Sequence, residues 1–574
     1  MNTIKICISL IVLMVAIASC KQKPQGSQII DESNMAAAIQ DEALQKWQDQ
    51  KFSMFIHWGI YSIPAGIWEG EQITGYSEQI KGHAKISDEN YKKLSHQFNP
   101  TAWDPDSIAL LAKEAGMKSV VITSKHHDGF AMFNTAYSDY NVIDATPYKR
   151  DVIKELSEAC KRYGLGFGVY FSIIDWDFPE AVPFTSTHNS DPIPPAHHQY
   201  NLNQVEELLT NYGDISEIWF DMGAPTQKQS QEMAQLVKNL QPDCMISGRI
   251  FNDQGDFVVL GDNVQPDFKM DTPWQTPASM FDETWSYRSW QERGDVDEKV
   301  KEKIHDLVTI VSFGGNYLLN IGPTAEGEVI DFEKEVLKKI GAWMQVNGES
   351  IYESQVAAVQ QQDWGVVTSK PGKLFFHVLD FPQDGHLVVK GMNLAVKNIY
   401  PLAQKDLFLD SAHENGNLSI DLTDEIIKNE HNTVFVAEYE GELVHRPNSL
   451  IDGSIEGEIA LTAENAENYH SFSGPEYRAN LPTVVRLKWD VANLNPSADY
   501  QVVVSAKEGR KNEDLILTVN NEVYPISFQD KHMVTIKVNR VKNGLNSFEI
   551  KRKDRIYFHK GLDFINLKME IETL

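Results

Sequence analysis

Between residues 53 and 345 the chain alternates short apolar runs with longer segments whose apolar residues recur at helical spacing. That texture predicts parallel strands joined by helices, because a parallel neighbour needs a long crossover where a hairpin needs only a turn. The runs Ser53–Trp58, Ser119–Ser124, Gly166–Ser172, Ser216–Phe220, Cys244–Ser247 and Tyr317–Asn320 read as the strands. The segments between them carry helix punctuation: Asp104-Pro105 opens one helix and Gly116 closes it, and Asp151 opens the next, which Gly164 ends. Repeated units of this kind predict an α/β fold, a (β/α)8-like (TIM-type) barrel over residues 41–348. An open doubly wound sheet would place a glycine-rich phosphate turn after its first strand, and His57-Trp58-Gly59 is no such turn.

Beyond Gly348 the period changes to two. Lys373–Leu379 and His386–Lys390 alternate between breaks rich in Pro, Gly and Asp, and predict a β-sandwich over residues 349–445. A further break at Arg446-Pro447-Asn448 precedes the runs Val484–Trp489, Tyr500–Ala506, Leu515–Val519 and Val534–Val538, which predict a second sandwich-like domain over residues 446–574.

The first twenty residues have another logic. Lys5, the apolar run Ile6–Ala16 and the small residues before Cys20 read as a secretory signal, too short to span a bilayer. Ile17-Ala18-Ser19-Cys20 resembles the bacterial lipobox, where the signal is cut and the cysteine acylated. Residues 1–20 are therefore expected to be a lipoprotein signal peptide and residues 21–40 a polar tether. The protein is expected beyond the inner membrane, periplasmic or at the cell surface, held to the membrane only by lipid on Cys20. The formal charge of −29, with no basic cluster, argues against a nucleic-acid partner. Besides Cys7 and Cys20 only Cys160 and Cys244 remain, without the spacing of a disulfide framework or a zinc site.

In a barrel of this kind the chemistry sits where the strands end, because the loops that follow them converge there. The expected strand ends carry His57-Trp58, then Lys125-His126-His127-Asp128, then Tyr170 with Asp175-Trp176 beyond, then Trp219-Phe220-Asp221, then Arg249. His126 and His127 invite a metal, but consecutive residues leaving a strand point apart and no third or fourth ligand is evident, so no metal is expected. Imidazoles and a guanidinium beside aromatic faces suit a sugar, whose hydroxyls need donors and acceptors while its C–H faces stack on rings. Asp221 ends an apolar strand. Met222-Gly223-Ala224-Pro225 separates it from the next helical stretch, so it is badly placed to cap that helix and reads as a catalytic carboxylate.

These motifs, in this order, resemble the α-L-fucosidase family of retaining glycoside hydrolases over about residues 45–440. The resemblance is carried by Lys51–Gly59 with Tyr61–Ala65, Gly75-Tyr76-Ser77-Glu78, Thr123–Phe130, Arg150-Asp151-Val152, Trp219-Phe220-Asp221 and Asn316–Pro323. It implies an exo-acting enzyme that removes terminal α-L-fucose from a fucosylated glycan. The pocket would be lined by His57, Trp58, His126, His127, Tyr170, Trp219 and Arg249, with Asp221 as nucleophile and no cofactor. Where many members have Glu after Trp, this chain has Trp274-Gln275, and an amide cannot donate and recover a proton. Glu283 and Glu78 remain as acid/base candidates. Gln79 stands where the family often has Trp.

Two other readings stay open. L-fucose and D-galactose share hydroxyl stereochemistry from C2 to C4, so a galactose-configured substrate is one. A catalytically weak carbohydrate-binding relative is the other, with Tyr469, Phe472, Tyr477 and Tyr557 of the last domain as a platform for glycan or simply as core.

Overall fold

The computed structural model describes residues 42–180, 192–265, 269–270 and 272–571, apart from 393–394, 415, 442–449, 455–457, 472–482, 507–513, 529–531, 539–540, 553–561 and 563–564. The expected signal, tether and Cys20 lie outside the described residues, as do Arg446-Pro447-Asn448, Phe472, Tyr477 and Tyr557.

Eight strands form one parallel sheet: β1 (Phe52–Ile56), β2 (Ser119–Lys125), β3 (Gly166–Ser172), β4 (Glu217–Asp221), β5 (Met245–Ile246), β6 (Val258–Val259), β7 (Trp274–Ala278) and β8 (Asn316–Ile321). Their order is β5-β4-β3-β2-β1-β8-β7-β6, which is a ring cut at one point. A parallel bridge between Ser247 and Phe257 joins the cut ends, and the curled sheet is that of a (β/α)8-like barrel.

Six longer helices pack outside it: α1 (Pro105–Glu114), α2 (Val152–Tyr163), α3 (Pro195–Asn211), α4 (Gln227–Leu240), α5 (Val296–Ser312) and α6 (Asp331–Asn347). Asp104 caps α1 by accepting from the N–H groups of Asp106 and Ser107. Asp151 caps α2, which Gly164 ends at φ +73°, a left-handed value glycine adopts without strain. Strands β6 and β7 were not expected from the sequence. β6 has two residues, and β7 reads Trp-Gln-Thr-Pro-Ala, with a proline that normally argues against a central strand. The neighbouring strands on both sides hold it in place.

The period of two decides what fills the barrel. Along β4, Ile218 and Phe220 join the apolar layer beneath the helices, while Glu217, Trp219 and Asp221 alternate on the inner side. Trp47, from the helical turn before β1, closes the N-terminal end, its ring 4.3 Å from Phe257 and its Nε1 donating to Glu217 Oε2 at 2.7 Å. Gln275 on β7 donates to the same carboxylate at 3.4 Å and accepts from Trp219 Nε1 at 2.9 Å. A column of hydrogen bonds thus climbs from Trp47 to the residue two before Asp221.

The first β-domain places a five-stranded sheet between two cores. Phe375, Val434 and Val436 face the barrel's apolar layer, whereas Leu374, Phe376, Phe435 and Ala437 pack with Leu387 and Leu418 of a three-stranded sheet. The last domain has a seven-stranded and a four-stranded sheet around Leu487, Trp489, Val502, Leu517 and Phe548. Among the described residues no helix is long and apolar enough to cross a membrane.

Burial, with no cation beside it among the described residues, pushes the Glu217 carboxyl up to about 7, so the neutral form is the one the barrel accommodates. In the unfolded chain the group returns to about 4.3. Between those values the unfolded state releases its proton first, so stability falls as pH rises through that window. Glu217→Gln is expected to flatten the decline of Tm over that range, by on the order of several °C. Thermal unfolding at both ends of the window checks this, and an unchanged slope counts against it.

Candidate active site

Asp221 ends β4 at the C-terminal mouth of the barrel. Left-handed Met222 (φ +63°) and Gly223 (φ +85°) turn the chain away immediately, and Thr226, not Asp221, caps α4. Both carboxylate oxygens are held: Tyr170 donates to Oδ2 at 2.7 Å and Arg249 Nη1 donates to Oδ1 at 3.0 Å. Arg249 lies 4.8 Å over the Trp219 ring, so the tryptophan supports the guanidinium that holds the carboxylate. Trp219 Nε1 is engaged by Gln275, and Trp219 therefore acts as the floor beneath the site.

Three histidines crowd the same mouth. The rings of His126 and His127 are 3.9 Å apart, those of His57 and His126 5.6 Å, and His126 stacks on Tyr170 at 5.3 Å. Consecutive histidines were expected to point apart; here both rings turn to one side. The register of β2 against β3 shifts between Thr123 and Lys125, and such an irregularity breaks the alternation just before the pair. Behind them the buried Lys125 Nζ meets Asp175 at 3.4 Å. Gly129 (φ +83°) lets this turn close, since a Cβ there would lie 2.2 Å from Asp175 Oδ1.

Burial holds His57 down at about 4 and His127 at about 3, and puts His126 well below the ordinary range, so all three are neutral near pH 7. Their tautomers follow from their partners. Asn320 donates its amide to the Trp285 carbonyl, so its Oδ1 accepts from His57 Nδ1 at 2.7 Å. Ser172 donates to the Ile174 carbonyl and accepts from His127 Nδ1 at 2.7 Å. This leaves His127 Nε2 an acceptor, 4.0 Å from Asp221 Oδ2. His126 Nδ1 is buried with no protein partner among the described residues. Neutral imidazoles with one nitrogen free are matched to sugar hydroxyls.

His57, His126, His127, Tyr170, Trp219, Arg249 and Asp221 are therefore brought together. Trp58 is not: it packs against Phe98 and Trp103, its Nε1 donating to the Thr324 carbonyl, away from the histidines. Glu283 is 62% exposed, and its partners Gln291 and Arg288 are not among the groups around Asp221. Glu78 is fully buried and accepts from Ser286 N at 3.0 Å, and burial raises it to about 7. Gln275 lies inside the barrel below Trp219, tied at both ends of its amide.

The sequence reading missed two residues. Trp285 stands 5.1 Å from His57 and walls the pocket. Asp262 follows β6 and its Oδ1 takes Arg249 Nη2, the other terminal nitrogen of the guanidinium that holds Asp221. Its charge reaches Asp221, His57 and Tyr76. The only sequence signal was a carboxylate after the apolar run Phe257–Leu260, a strand too short to be recognised. Asp221 is raised above the usual carboxylate range chiefly by burial; Arg249 lowers it and the like charge of Asp262 raises it.

A closed barrel with two carboxylates and a set of neutral hydrogen-bonding rings at its C-terminal mouth has the build of a glycoside hydrolase. Residues 18–349 match the family model for alpha-L-fucosidase, and the chain belongs to the alpha-L-fucosidase family. Plasma alpha-L-fucosidase of Homo sapiens is 32% identical over 373 residues, 60% of this chain and 78% of its own. Tissue alpha-L-fucosidase of Bos taurus is 30% identical over 371 residues, 61% of this chain and 78% of its own. The solved alpha-L-fucosidase of Bacteroides thetaiotaomicron superposes with a TM-score of 0.63 at 28% identity, over 71% of this chain and 97% of its own. An alpha-L-fucosidase of the same organism, 28% identical with a TM-score of 0.63, has been solved as a mutant trapped in a covalent intermediate with 2-fluoro-fucosyl fluoride. The alpha-L-fucosidase of a Vibrio species covers 92% of this chain and 98% of its own, with a TM-score of 0.66 at 26% identity. This protein is a glycoside hydrolase.

Burial raises the Asp221 carboxyl, so where that group acts ionised the acid limb of kcat/KM is expected above the ordinary aspartate value of about 3.9. Asp262→Asn removes the like charge that raises Asp221, and is expected to move that limb to lower pH when an activated aryl glycoside is the substrate. A limb that stays in place or moves upward would contradict the proximity of the two carboxylates.

Proposed function

We propose that the protein is a retaining exo-α-L-fucosidase in which Asp221 is the nucleophile and Asp262 the acid/base. The observation that carries this reading is the single guanidinium of Arg249 shared by both carboxylates. Such an arrangement suits the ~5–5.5 Å between carboxyl groups of retaining enzymes better than the ~6.5–9.5 Å of inverting ones. Two carboxylates around one arginine leave one negative charge unbalanced. Asp262, with its side chain 25% exposed against 13% for Asp221, is the member open to exchange with solvent.

In the first step Asp221 attacks the anomeric carbon while the glycosidic oxygen leaves with the proton of Asp262, giving a glycosyl ester. In the second, Asp262 takes a proton from water, whose oxygen attacks the same carbon and frees the sugar and the Asp221 carboxylate. Tyr170 and Arg249 orient Asp221 for the first attack. The neutral histidines bind hydroxyls without placing a positive charge near a centre that itself becomes positive. The signal pattern ending at Cys20 supports an enzyme held by lipid outside the inner membrane, acting on fucosylated glycans there.

Asp221→Ala is expected to lower kcat for 4-nitrophenyl α-L-fucoside on the order of 10³-fold or more while fucose binding by calorimetry changes only a few-fold. Azide added to that variant is expected to restore release of 4-nitrophenol and to yield the β-configured fucosyl azide. Wild-type turnover of the matching galactoside in place of the fucoside would sink the assignment of the sugar.

A further inference from the structure

The seven-stranded sheet of the last domain does not end within that domain. Its outermost strand is Lys269–Met270, which belongs to the barrel's connection between β6 and β7. That strand pairs in parallel with Glu467–Ser471, Lys269 opposite Tyr469 and Met270 opposite His470. The other side of Glu467–Ser471 is already paired with Thr483–Ala492, so without the barrel's contribution it would be an exposed edge. Met270 is partly buried against the barrel's apolar layer, which ties the short strand to both bodies.

The same connection carries Asp262. Its first part is anchored to the barrel, with Asn263 N donating to the Pro277 carbonyl at 3.1 Å and Asn263 Oδ1 accepting from Ser279 N at 2.7 Å. Its last part is anchored to the β-domain by strand addition. Among the described residues no α-helix lies between β6 and β7 to brace the loop, as none lies between β5 and β6. The Tyr469 ring, which the sequence leaves open as glycan platform or core, lies 3.5 Å beneath the Arg486 guanidinium, so one of its faces is covered.

We propose that the last β-domain is a working wall of the active site: by adding Lys269–Met270 to its sheet through main-chain pairing it holds the connection that presents Asp262, so that this short strand positions Asp262 for proton transfer. This rests on the assignment of Asp262 as acid/base. It predicts an effect on one half of the chemistry. In kcat/KM, which covers the chemistry up to the glycosyl ester and excludes the later deprotonation of water by Asp262, a fluoride leaves without a proton whereas a phenoxide or sugar oxygen needs one, so loosening the wall should spare the first and slow the second.

The test is Met270→Pro in the full chain, which disrupts the short strand, assayed on α-L-fucosyl fluoride and phenyl α-L-fucoside. The expected result is a kcat/KM on the fluoride within about 3-fold of wild type and a loss of roughly 10-fold or more in kcat/KM on the phenyl fucoside, part of the ~10²–10⁴-fold a positioned general acid supplies. Equal losses on both substrates, or no loss on either, overturn the inference. Should Met270→Pro fail to fold, the pair Lys269→Cys with Tyr469→Cys replaces it, since paired strands lie within disulfide reach. Its oxidised form is expected to form the cross-link and keep wild-type rates on both substrates. Failure to cross-link, or a phenyl-fucoside rate lowered by the bond, overturns the inference. A wild type inactive on both substrates sinks the fucosidase reading and this inference with it. Selective loss in Asp262→Asn, without selective loss in Met270→Pro, rejects the wall alone.

Discussion

A carboxylate at the end of an apolar strand is costly to bury, by several kcal/mol if it stands unpaired, and the site is organised around that cost. Asp221 is kept usable by one neutral and one charged donor, and the charged donor is kept in place by Trp219 below it and Asp262 beside it. Each support is itself supported. Trp219 is fixed by Gln275, Gln275 by Glu217, and Glu217 by Trp47 at the far end of the barrel.

This chain of dependence gives the Gln275 position a physical meaning. In the barrel it belongs to the column that levels the floor under Asp221, and its amide is suited to the place because it both donates and accepts. A carboxylate there would face Glu217 directly, two acids in an interior that already raises one of them to about 7. At the mouth of the barrel Asp262 is partly open to solvent, and Arg249 couples it to Asp221.

The β-domains differ in what they give the barrel. The first packs an apolar sheet face against it, a large contact that adds stability. The last reaches the catalytic end through main-chain pairing, which is directional and acts on one connection.

Much of this was legible in the chain because it depends on local periodicity. The period of two in β1 to β4, the caps at Asp104 and Asp151, and the stop at Gly164 are properties of neighbours in sequence, and they place His57, Tyr170 and Asp221 at strand ends. What escaped depends on partners far along the chain. β6 and β7 are strands only because the ring must close, and without β6 there was no strand end to mark Asp262. The common side taken by His126 and His127, the removal of Trp58 to the core and the exposure of Glu283 are decided by packing. Sequence by itself determined which residues could stand at the mouth of a barrel, since alternation along a strand is local. Only the tertiary structure decided which carboxylates share the arginine there, since that contact joins strands whose neighbours are set by closure.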